Sequence, residues 1–298
     1  MGVREAVASG AGSDRASAHA GPIHYATGTV ILPQHDLDLP GPPALELRRV
    51  HRSGHGDGRW FGPAWTSTFD QRAEVHADGV HVFAADGAAR LFPHPGDGSV
   101  AACPPPGERA GRARLSRIRY GYAVTDPGTG LTTHYTGAGD RLPLTAVDGP
   151  DGGRIELRHG PDGAPAEVVN AAGRALDVET AAGRVVAIRR RNELLAAYTY
   201  DRAGNLTEAA CPGLVRHFAY DRAGRVTEWD DGQRLAYTYT YDALGRCVHA
   251  SGPQELTLEY ESRGTSVRDA DGNHTVYLYD GLSQLVERID YALDPRAS

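Results

Sequence analysis

Histidines supply the first candidate chemistry in the sequence, because imidazole is a common metal ligand and general base. The chain has 13 histidines, and the densest group lies within residues 51–94. His76 and His81 flank the Asp78-Gly79 turn, so they can face each other across a hairpin. A metal site there would need a third ligand, and exposed strand histidines are the simpler explanation. We therefore predict no metal site.

A calcium loop is the second candidate. Residues 269–273 read DADGN, which begins like the Asp-x-Asp-Gly of a calcium-binding loop. Position twelve of such a loop falls on Asp280, where glutamate is usual. Because Asp-Gly is also a hairpin-turn dipeptide, we predict a turn here.

The cysteines suggest a thiol nucleophile. Cys247 and His249 stand two residues apart, and Cys211 precedes His217, so each pair could combine a nucleophile with a base. No third residue that would orient the histidine is evident near either pair. HExxH, GxSxG, Walker and GxGxxG motifs are also absent from the sequence. We therefore predict that the chain is not an enzyme and uses no cofactor.

Tyrosines give a binding hypothesis. Tyr237, Tyr239 and Tyr241 alternate along one predicted strand and so share one face. Aromatic faces stack on sugar rings, but cross-strand stacking within a sheet is the alternative use of such a pattern. A carbohydrate or cell-surface adhesion module is therefore the second hypothesis, beside a structural scaffold.

The segments that carry these residues repeat along the chain. The repeat begins with a Tyr-Asp pair, found at Tyr200-Asp201, Tyr220-Asp221, Tyr241-Asp242 and Tyr279-Asp280. A glycine follows three residues after Asp in the first three units, at Gly204, Gly224 and Gly245, and Ser283 takes that position in the fourth. Gly163, Gly173 and Gly183 extend the register upstream. Self-similarity at a fixed period indicates a repeat architecture.

Each unit predicts a β-hairpin turn. The Asp side chain can accept backbone N–H groups across the turn, and the Gly can adopt the left-handed conformation. Asp-Gly occurs ten times in the chain, and Arg189–Ala197 is the only plausible short helix, which can equally be two strands and a loop. A single hairpin cannot bury its apolar face, so neighbouring hairpins must stack. The predicted fold class is all-β.

Composition excludes several functions. The formal net charge is -7 and no lysine occurs, which argues against nucleic acid as a partner and excludes Schiff-base chemistry. No run of 18 apolar residues predicts a membrane span. Residues 1–20 lack the apolar stretch of a signal peptide and are expected to be disordered. We expect synthesis in the cytoplasm.

The YDxxGR units resemble the tyrosine-aspartate (YD) repeats of the RHS-repeat family, which includes bacterial polymorphic toxins. Residues 21–95 are similar to the domain that often precedes such repeats, although Ala64 replaces an expected glycine and His24-Tyr25 an acidic-aliphatic pair. The residues that carry this second resemblance are Trp60, Phe61, Gly62, Pro63, Trp65 and Asp70.

The resemblance implies an open, incomplete part of a β-sheet shell that encloses a C-terminal toxin in full-length relatives. It divides the chain into a disordered terminus (1–20), a β-rich domain (21–145) and stacked antiparallel YD hairpins (146–298). Toxin-carrying members have an Asp-Pro-x-Gly core segment, whereas Asp294-Pro295 lacks the glycine. The expectation is a truncated, non-catalytic scaffold that is exported or displayed at the cell surface if it behaves like the family.

About seven hairpins after residue 150 would give about fourteen strands, roughly 67 Å of sheet at ~4.8 Å per strand. A wall around a guest of about 100 residues, with a radius of gyration near 13 Å, must be wider. The last strand, near residues 286–289, would then leave an unpaired edge that invites another chain. We expect self-association, or a further RHS segment or toxin chain that continues the sheet.

Overall fold

The computed structural model of the chain describes residues 2–6, 19–20, 22–96, 100–102 and 113–291. Within these residues the regular structure is antiparallel β-sheet, with one short 3₁₀ turn at Thr68–Asp70 and no α-helix. No helix in this part of the chain is long and apolar enough to cross a membrane. The all-β prediction is confirmed.

The strands in chain order are β1 (Gly2–Ala6), β2 (His19–Ala20), β3 (Ile23–His24), β4 (Thr29–Leu39), β5 (Leu45–Arg52), β6 (Trp65–Ser67), β7 (Arg72–His76), β8 (Gly79–Phe83), β9 (Ala89–Phe92), β10 (Val100–Ala102), β11 (Arg114–Ile118), β12 (Gly121–Thr125), β13 (Thr132–Thr136) and β14 (Arg141–Asp148). They continue with β15 (Arg154–His159), β16 (Pro165–Asn170), β17 (Ala175–Ala181), β18 (Arg184–Arg190), β19 (Glu193–Tyr200), β20 (Leu206–Cys211), β21 (Leu214–Tyr220), β22 (Val226–Asp230), β23 (Ala236–Tyr241), β24 (Cys247–Ser251), β25 (Leu256–Tyr260), β26 (Gly264–Asp269), β27 (His274–Tyr279) and β28 (Leu285–Tyr291). Fourteen strands, β15 to β28, therefore follow residue 150, as predicted.

The chain forms two compact units. The larger unit comprises residues 33–51 and 55–215, and the smaller unit comprises residues 1–32, 52–54 and 216–298. The predicted boundary between residues 145 and 146 does not coincide with this division, because segments 22–32 and 52–54 belong to the same unit as the later repeats.

In the larger unit, every strand from β10 to β19 pairs antiparallel with its successor. β7, β8 and β9 form a separate meander, and β7 also pairs with β14. Alternate strand residues point to opposite faces, and the inward set is buried. Its most buried apolar members include Trp65, Leu115, Leu144, Ile155 and Ile188.

In the smaller unit, the strands from β21 to β27 also pair antiparallel with their successors. Their inward residues pack with residues 23–32, since Ile23, Tyr25 and Val30 share one core cluster with Val226 and Tyr239. The Thr265 hydroxyl fixes this segment further by donating to the Tyr25 carbonyl oxygen at 2.8 Å.

The expected disorder of residues 1–20 is wrong for two short segments, which form β1 and β2; residues 7–18 lie outside the described part. β1 pairs antiparallel with β28, from Gly2 opposite Tyr291 to Ala6 opposite Glu287. The expectation of an unpaired edge at β28 is therefore also wrong for residues 287–291. The physical reason is that β1 satisfies backbone groups that the last strand would otherwise expose.

The ambiguous Arg189–Ala197 segment forms two strands. β18 ends at Arg190 and β19 begins at Glu193, so two turn residues join them. Arg191 in this turn has a φ of 56°, a left-handed conformation that a tight hairpin requires. The alternative of a short helix is excluded.

Candidate functional site: the Tyr-Asp turns and their arginines

Each Tyr-Asp pair ends a strand and opens a five-residue turn. In the unit at Asp242, its N–H donates to the Arg246 carbonyl oxygen at 2.9 Å, and the Gly245 N–H donates back to the Asp242 carbonyl oxygen at 3.0 Å. The turns at Asp201, Asp221 and Asp280 have the same pair of bonds. The third residue after Asp has a positive φ in every unit: Gly204 (82°), Gly224 (75°), Gly245 (82°) and Ser283 (60°). The predicted turn is confirmed.

The Asp carboxylate holds the turn closed. In Asp221, Oδ1 accepts the Arg225 N–H at 3.0 Å, while Oδ2 accepts the Arg225 Nε–H at 2.7 Å. Asp242 and Arg246 repeat this arrangement at 2.9 and 2.7 Å. In Asp201, the partner of both oxygens is Asn205. One side chain therefore satisfies the backbone and fixes the side chain four residues later.

These contacts explain the acidity of the two arginine-paired carboxyls. Partial burial alone would raise the pKa of Asp221, but the hydrogen bonds and charge of Arg225 outweigh it, so the pKa lies below its ordinary value. The same balance, with Arg246 as the partner, lowers the pKa of Asp242.

The tyrosine hydroxyls connect consecutive turns. Three of them donate to the carbonyl oxygen of the residue that follows the Gly-Arg pair of the preceding turn. The bonds run from Tyr200 to Val185, from Tyr241 to Val226 and from Tyr260 to Cys247, each at 2.6 Å. Burial raises the pKa of Tyr241 and of Tyr260 above the ordinary value. The hydroxyls therefore stay protonated as donors.

The arginine of one turn also covers the tyrosine ring that opens the next. The Arg225 guanidinium carbon lies 4.5 Å from the Tyr241 ring centroid, and that of Arg246 lies 4.5 Å from the Tyr260 centroid. A guanidinium at this distance is attracted to the ring face. We call each set a rung; the two rungs are Asp221-Arg225-Tyr241 and Asp242-Arg246-Tyr260.

Two residues of this arrangement were missed by the sequence analysis. Tyr260 is followed by Glu261 rather than Asp, so it lacks the Tyr-Asp signature, although it stands 19 residues from both Tyr241 and Tyr279. The repeat period alone would have found it. Arg184 has no Tyr-Asp upstream, yet its Nε–H donates to the Gly204 carbonyl oxygen at 3.4 Å.

Val185 and Cys247, which each follow a turn, form hydrogen bonds through both the backbone N–H and the carbonyl oxygen. In the larger unit, the Val185 N–H donates to the Trp60 carbonyl oxygen at 2.9 Å, while its own carbonyl oxygen accepts the Tyr200 hydroxyl. In the smaller unit, the Cys247 N–H donates to the Gly28 carbonyl oxygen at 2.8 Å. The residues before the repeats are thus bonded to repeat turns in both units.

The N-terminal signature residues lie between β5 and the 3₁₀ turn. Trp60, Phe61 and Trp65 are buried, and the Trp60 indole N–H donates to the Phe69 carbonyl oxygen at 3.1 Å. Gly62 and Pro63 form the connecting loop. A Cβ added at Gly62 would lie 2.8 Å from the Gly204 carbonyl oxygen. The three aromatic side chains pack as part of the core.

Asp70 organises the end of this loop. The Ser67 hydroxyl donates to Asp70 Oδ2, and the Arg59 N–H donates to Oδ1 at 3.2 Å. Burial nevertheless raises the pKa of the Asp70 carboxyl above its ordinary value. The side chain therefore joins Ser67, which caps the 3₁₀ turn, to the backbone of Arg59.

A buried ion pair at the centre of the larger unit had no sequence signal. Arg49 donates to both carboxylate oxygens of Asp36, at 2.6 and 2.9 Å, and each side chain is 1% exposed. The Tyr198 hydroxyl adds a third bond to Asp36 at 2.9 Å. Burial by itself would lower the pKa of Arg49, but the Asp36 carboxylate raises it above the ordinary value. The guanidinium also lies 4.8 Å from the Trp65 ring.

The other candidate chemistry is used within the sheet. Asp269 accepts the Asn273 N–H and side-chain amide at 2.9 and 2.8 Å, so the DADGN segment is a hairpin turn, as predicted. The His76 and His81 rings lie 4.8 Å apart. Among the described residues, no group of three or more His, Cys, Asp or Glu side chains is arranged to hold a metal ion.

Cys247 and His249 do not form a nucleophile–base pair. Cys247 Sγ donates to the His249 carbonyl oxygen at 3.3 Å, while the His249 ring contacts Glu255. Burial raises the pKa of the Cys247 thiol to about 12, which suppresses the reactive thiolate. The second histidine, His217, contacts Asp230 at 3.0 Å.

The tyrosine-rich face is mostly internal. Tyr239 is 2% exposed and belongs to the core cluster of the smaller unit. Its hydroxyl accepts the Trp229 indole N–H at 3.1 Å, and the Tyr237 ring stacks on Trp229 at 5.3 Å. This burial disfavours Tyr239 as part of a sugar-binding surface.

Comparison with known proteins gives two family matches. Residues 20–92 match a domain of unknown function, DUF6531, and residues 220–255 match the RHS repeat. The second match spans two of the Tyr-Asp turns and one complete Arg-Tyr contact.

Curated relatives cover most of this chain. It is 27% identical over 274 residues to the probable deoxyribonuclease RhsB of Dickeya dadantii, covering 88% of this chain and 19% of the relative. It is also 27% identical over 297 residues to double-stranded DNA deaminase toxin A of Burkholderia cenocepacia, covering 88% of this chain and 20% of the relative. The chain thus spans about a fifth of the length of these relatives.

A solved structure of the Photorhabdus luminescens Tc holotoxin pore also aligns, with 11% identity and a TM-score of 0.37 over 85% of this chain and 18% of that chain. The family assignment follows from the sequence matches and from the repeating Tyr-Asp turns. The chain is an RHS/YD-repeat protein.

Proposed function

We propose that the chain is a structural scaffold, whose repeats form part of the wall of a shell that carries a C-terminal toxin. The observation that carries this proposal is the use of the signature side chains. The Asp, Arg and Tyr groups of the rungs bond to one another and to the backbone, and such satisfied polar groups stabilise a structure rather than react with a substrate.

The relatives support the toxin connection. Their names describe a probable deoxyribonuclease and a DNA deaminase toxin, and this chain matches about a fifth of each. We propose that the matched fifth of these proteins forms part of the shell wall and that catalysis belongs to their other parts. We also propose that the protein is exported, as a shell that delivers a toxin must be.

The lack of catalysis by this chain is part of the proposal. The candidate nucleophile Cys247 is held as a thiol with a pKa of about 12. The buried carboxyl of Asp70, whose pKa is raised by burial, is engaged by Ser67 and Arg59. Both groups are thus held by contacts within the chain.

Double-stranded DNA is the sharpest substrate for testing this, because it is the one that the relatives' names suggest. Purified protein should neither cleave nor deaminate a labelled duplex over hours at neutral pH. The Gly183→Ala variant, which lowers stability at a position with open space around it, serves as the matched control. Turnover that a single substitution such as His217→Ala abolishes would overturn the proposal.

Self-association through β28 stays a prediction. β1 pairs with residues 287–291 of this strand, so we expect the intact chain to associate less readily than a variant without residues 1–20. Light scattering of the two proteins at equal concentration measures this. Equal mass for both would contradict it.

A further inference from the structure

One turn of the smaller unit lacks the position that arginine occupies in the two rungs. Cys247 pairs with Tyr241 across the sheet and stands six residues after it, with Arg246 between Gly245 and Cys247. Thr265 pairs with Tyr260 in the same way but stands only five residues after it. Gly264 directly precedes Thr265, so the missing residue falls at the arginine position.

Tyr279, the next tyrosine in the series after Tyr241 and Tyr260, therefore belongs to no complete rung. Tyr241 and Tyr260 each have a guanidinium over the ring and donate to a carbonyl oxygen at 2.6 Å. The Tyr279 hydroxyl oxygen is buried and has no hydrogen-bond partner among the described residues. The Thr265 hydroxyl lines the same space but donates to the Tyr25 carbonyl oxygen.

A groove occupies the position of the missing side chain. It has a volume of about 700 Å³ and lies against Tyr279, next to the Arg246-Tyr260 contact of the last complete rung. Gly264 and Leu278 contribute small and apolar lining. The space is larger than one guanidinium and open enough for a side chain to enter from outside.

The charges around the groove favour a cation. Glu261 and Asp280 line it together with Arg246 and Arg263, but the charge of Arg246 is neutralised by Asp242 at 2.7 Å. Asp280 is followed four residues later by Gln284 rather than arginine, so its carboxylate lacks the guanidinium that Asp242 has. Two acidic groups thus face one uncompensated basic group.

We propose that this groove binds an arginine side chain of a partner polypeptide, which completes the missing rung. The guanidinium would lie over the Tyr279 ring as Arg246 lies over Tyr260, and would contact the Glu261 carboxylate as Arg246 contacts Asp242. Lysine is a poorer ligand, because its ammonium lacks the planar face that stacks on an aromatic ring. The inference goes beyond the scaffold function, which does not require it.

The test uses the full chain with ¹³C-labelled tyrosine and the capped amino acid N-acetyl-L-arginine methylamide. The Tyr279 signal, assigned as the one lost in Tyr279→Phe, should shift saturably at millimolar concentration. The affinity for capped lysine should be lower than that for the capped arginine by a factor of roughly five or more. Absence of a saturable shift, or equal binding of the two ligands, would overturn the proposal.

Two variants separate a specific site from weak surface binding. Insertion of one arginine between Gly264 and Thr265 restores the consensus turn, and it should abolish ligand binding while raising the thermal midpoint. Tyr279→Leu removes the ring and keeps the groove, and it should also abolish binding, which is followed in this variant on the signal of Tyr260, a second tyrosine that lines the groove. Unchanged binding in Tyr279→Leu would refute the site even if the insertion fails to fold. Circular dichroism of each variant shows whether the scaffold itself is intact.

Discussion

Aspartate meets arginine in two regions of this molecule, and the two settings differ in burial. In the larger unit, the side chains of Asp36 and Arg49 are each 1% exposed. In the smaller unit, the side chains of Asp221 and Arg225 are 23% and 21% exposed. The first pair occurs once and is enclosed by aromatic rings, whereas the second recurs at Asp242.

The difference shows that an aspartate–arginine ion pair can contribute to stability in two ways. A buried pair is costly to desolvate, and removing one partner leaves an uncompensated charge in the core. A half-exposed pair contributes little alone, but repetition adds similar contributions along the sheet. The stability of the region before the repeats thus depends on one buried cluster, whereas the stability of the repeats depends on many weak contacts.

The largest effect is expected at the buried pair. Arg49→Met leaves Asp36 buried without its cation and should lower the free energy of unfolding by about 3–5 kcal/mol. Urea denaturation measures this. The double variant Asp36→Leu/Arg49→Met removes both charges and should recover much of the loss. A loss below about 1 kcal/mol in the single variant would show that the two regions do not differ.

A matched pair of glycines tests how well the loop before β6 and a repeat turn each tolerate an added side chain. Gly62 has a φ of 105°, and its added Cβ would approach the Gly204 carbonyl oxygen; Gly183 has a φ of 74° but open space around it. Gly183→Ala should cost about 1–2 kcal/mol for the left-handed conformation alone. Gly62→Ala adds the displacement of backbone and should cost roughly 1 kcal/mol more. Equal thermal midpoints for the two variants would contradict this.

A single tyrosine hydroxyl should matter less. Tyr241→Phe removes the bond to the Val226 carbonyl oxygen and should cost about 1 kcal/mol. Tyr237→Phe, in the same strand, is the control, because the structure gives the Tyr237 hydroxyl no comparable bond. Its denaturation midpoint should match that of the parent protein. If both variants are neutral, the hydroxyl bonds do not hold the turns together.

The smallest effect is a pH dependence. The pKa values of Asp221 and Asp242 lie below their ordinary value in the folded state, so both carboxylates bind fewer protons there than in the unfolded chain. Their contribution is complete above the unfolded value of about 3.9 and is lost as the pH falls through the folded pKa. Each pair should contribute less than about 1 kcal/mol. An Asp221→Asn/Asp242→Asn variant should show a weaker loss of stability below pH 4 than the parent.

The local parts of this arrangement could be predicted from sequence, and the non-local parts could not. The Tyr-Asp turns follow from residues at most five apart, whose chemistry specifies the turn. The buried cluster joins Asp36 to Arg49 and to Tyr198, which lies 162 positions from Asp36, and no periodic pattern links them. The pairing of β1 with β28 was also missed, because a five-residue segment far from its partner shows no pattern of its own.

The most direct test of the rungs is a double-mutant cycle between Arg225 and Tyr241. Arg225→Met and Tyr241→Leu, alone and together, give the coupling free energy between the guanidinium and the ring. The contact at 4.5 Å predicts a coupling of roughly 0.5–1 kcal/mol, whereas the same cycle with the exposed Arg222 should give none. A coupling for Arg225 no larger than that for Arg222 would contradict the claim that arginines join consecutive Tyr-Asp turns.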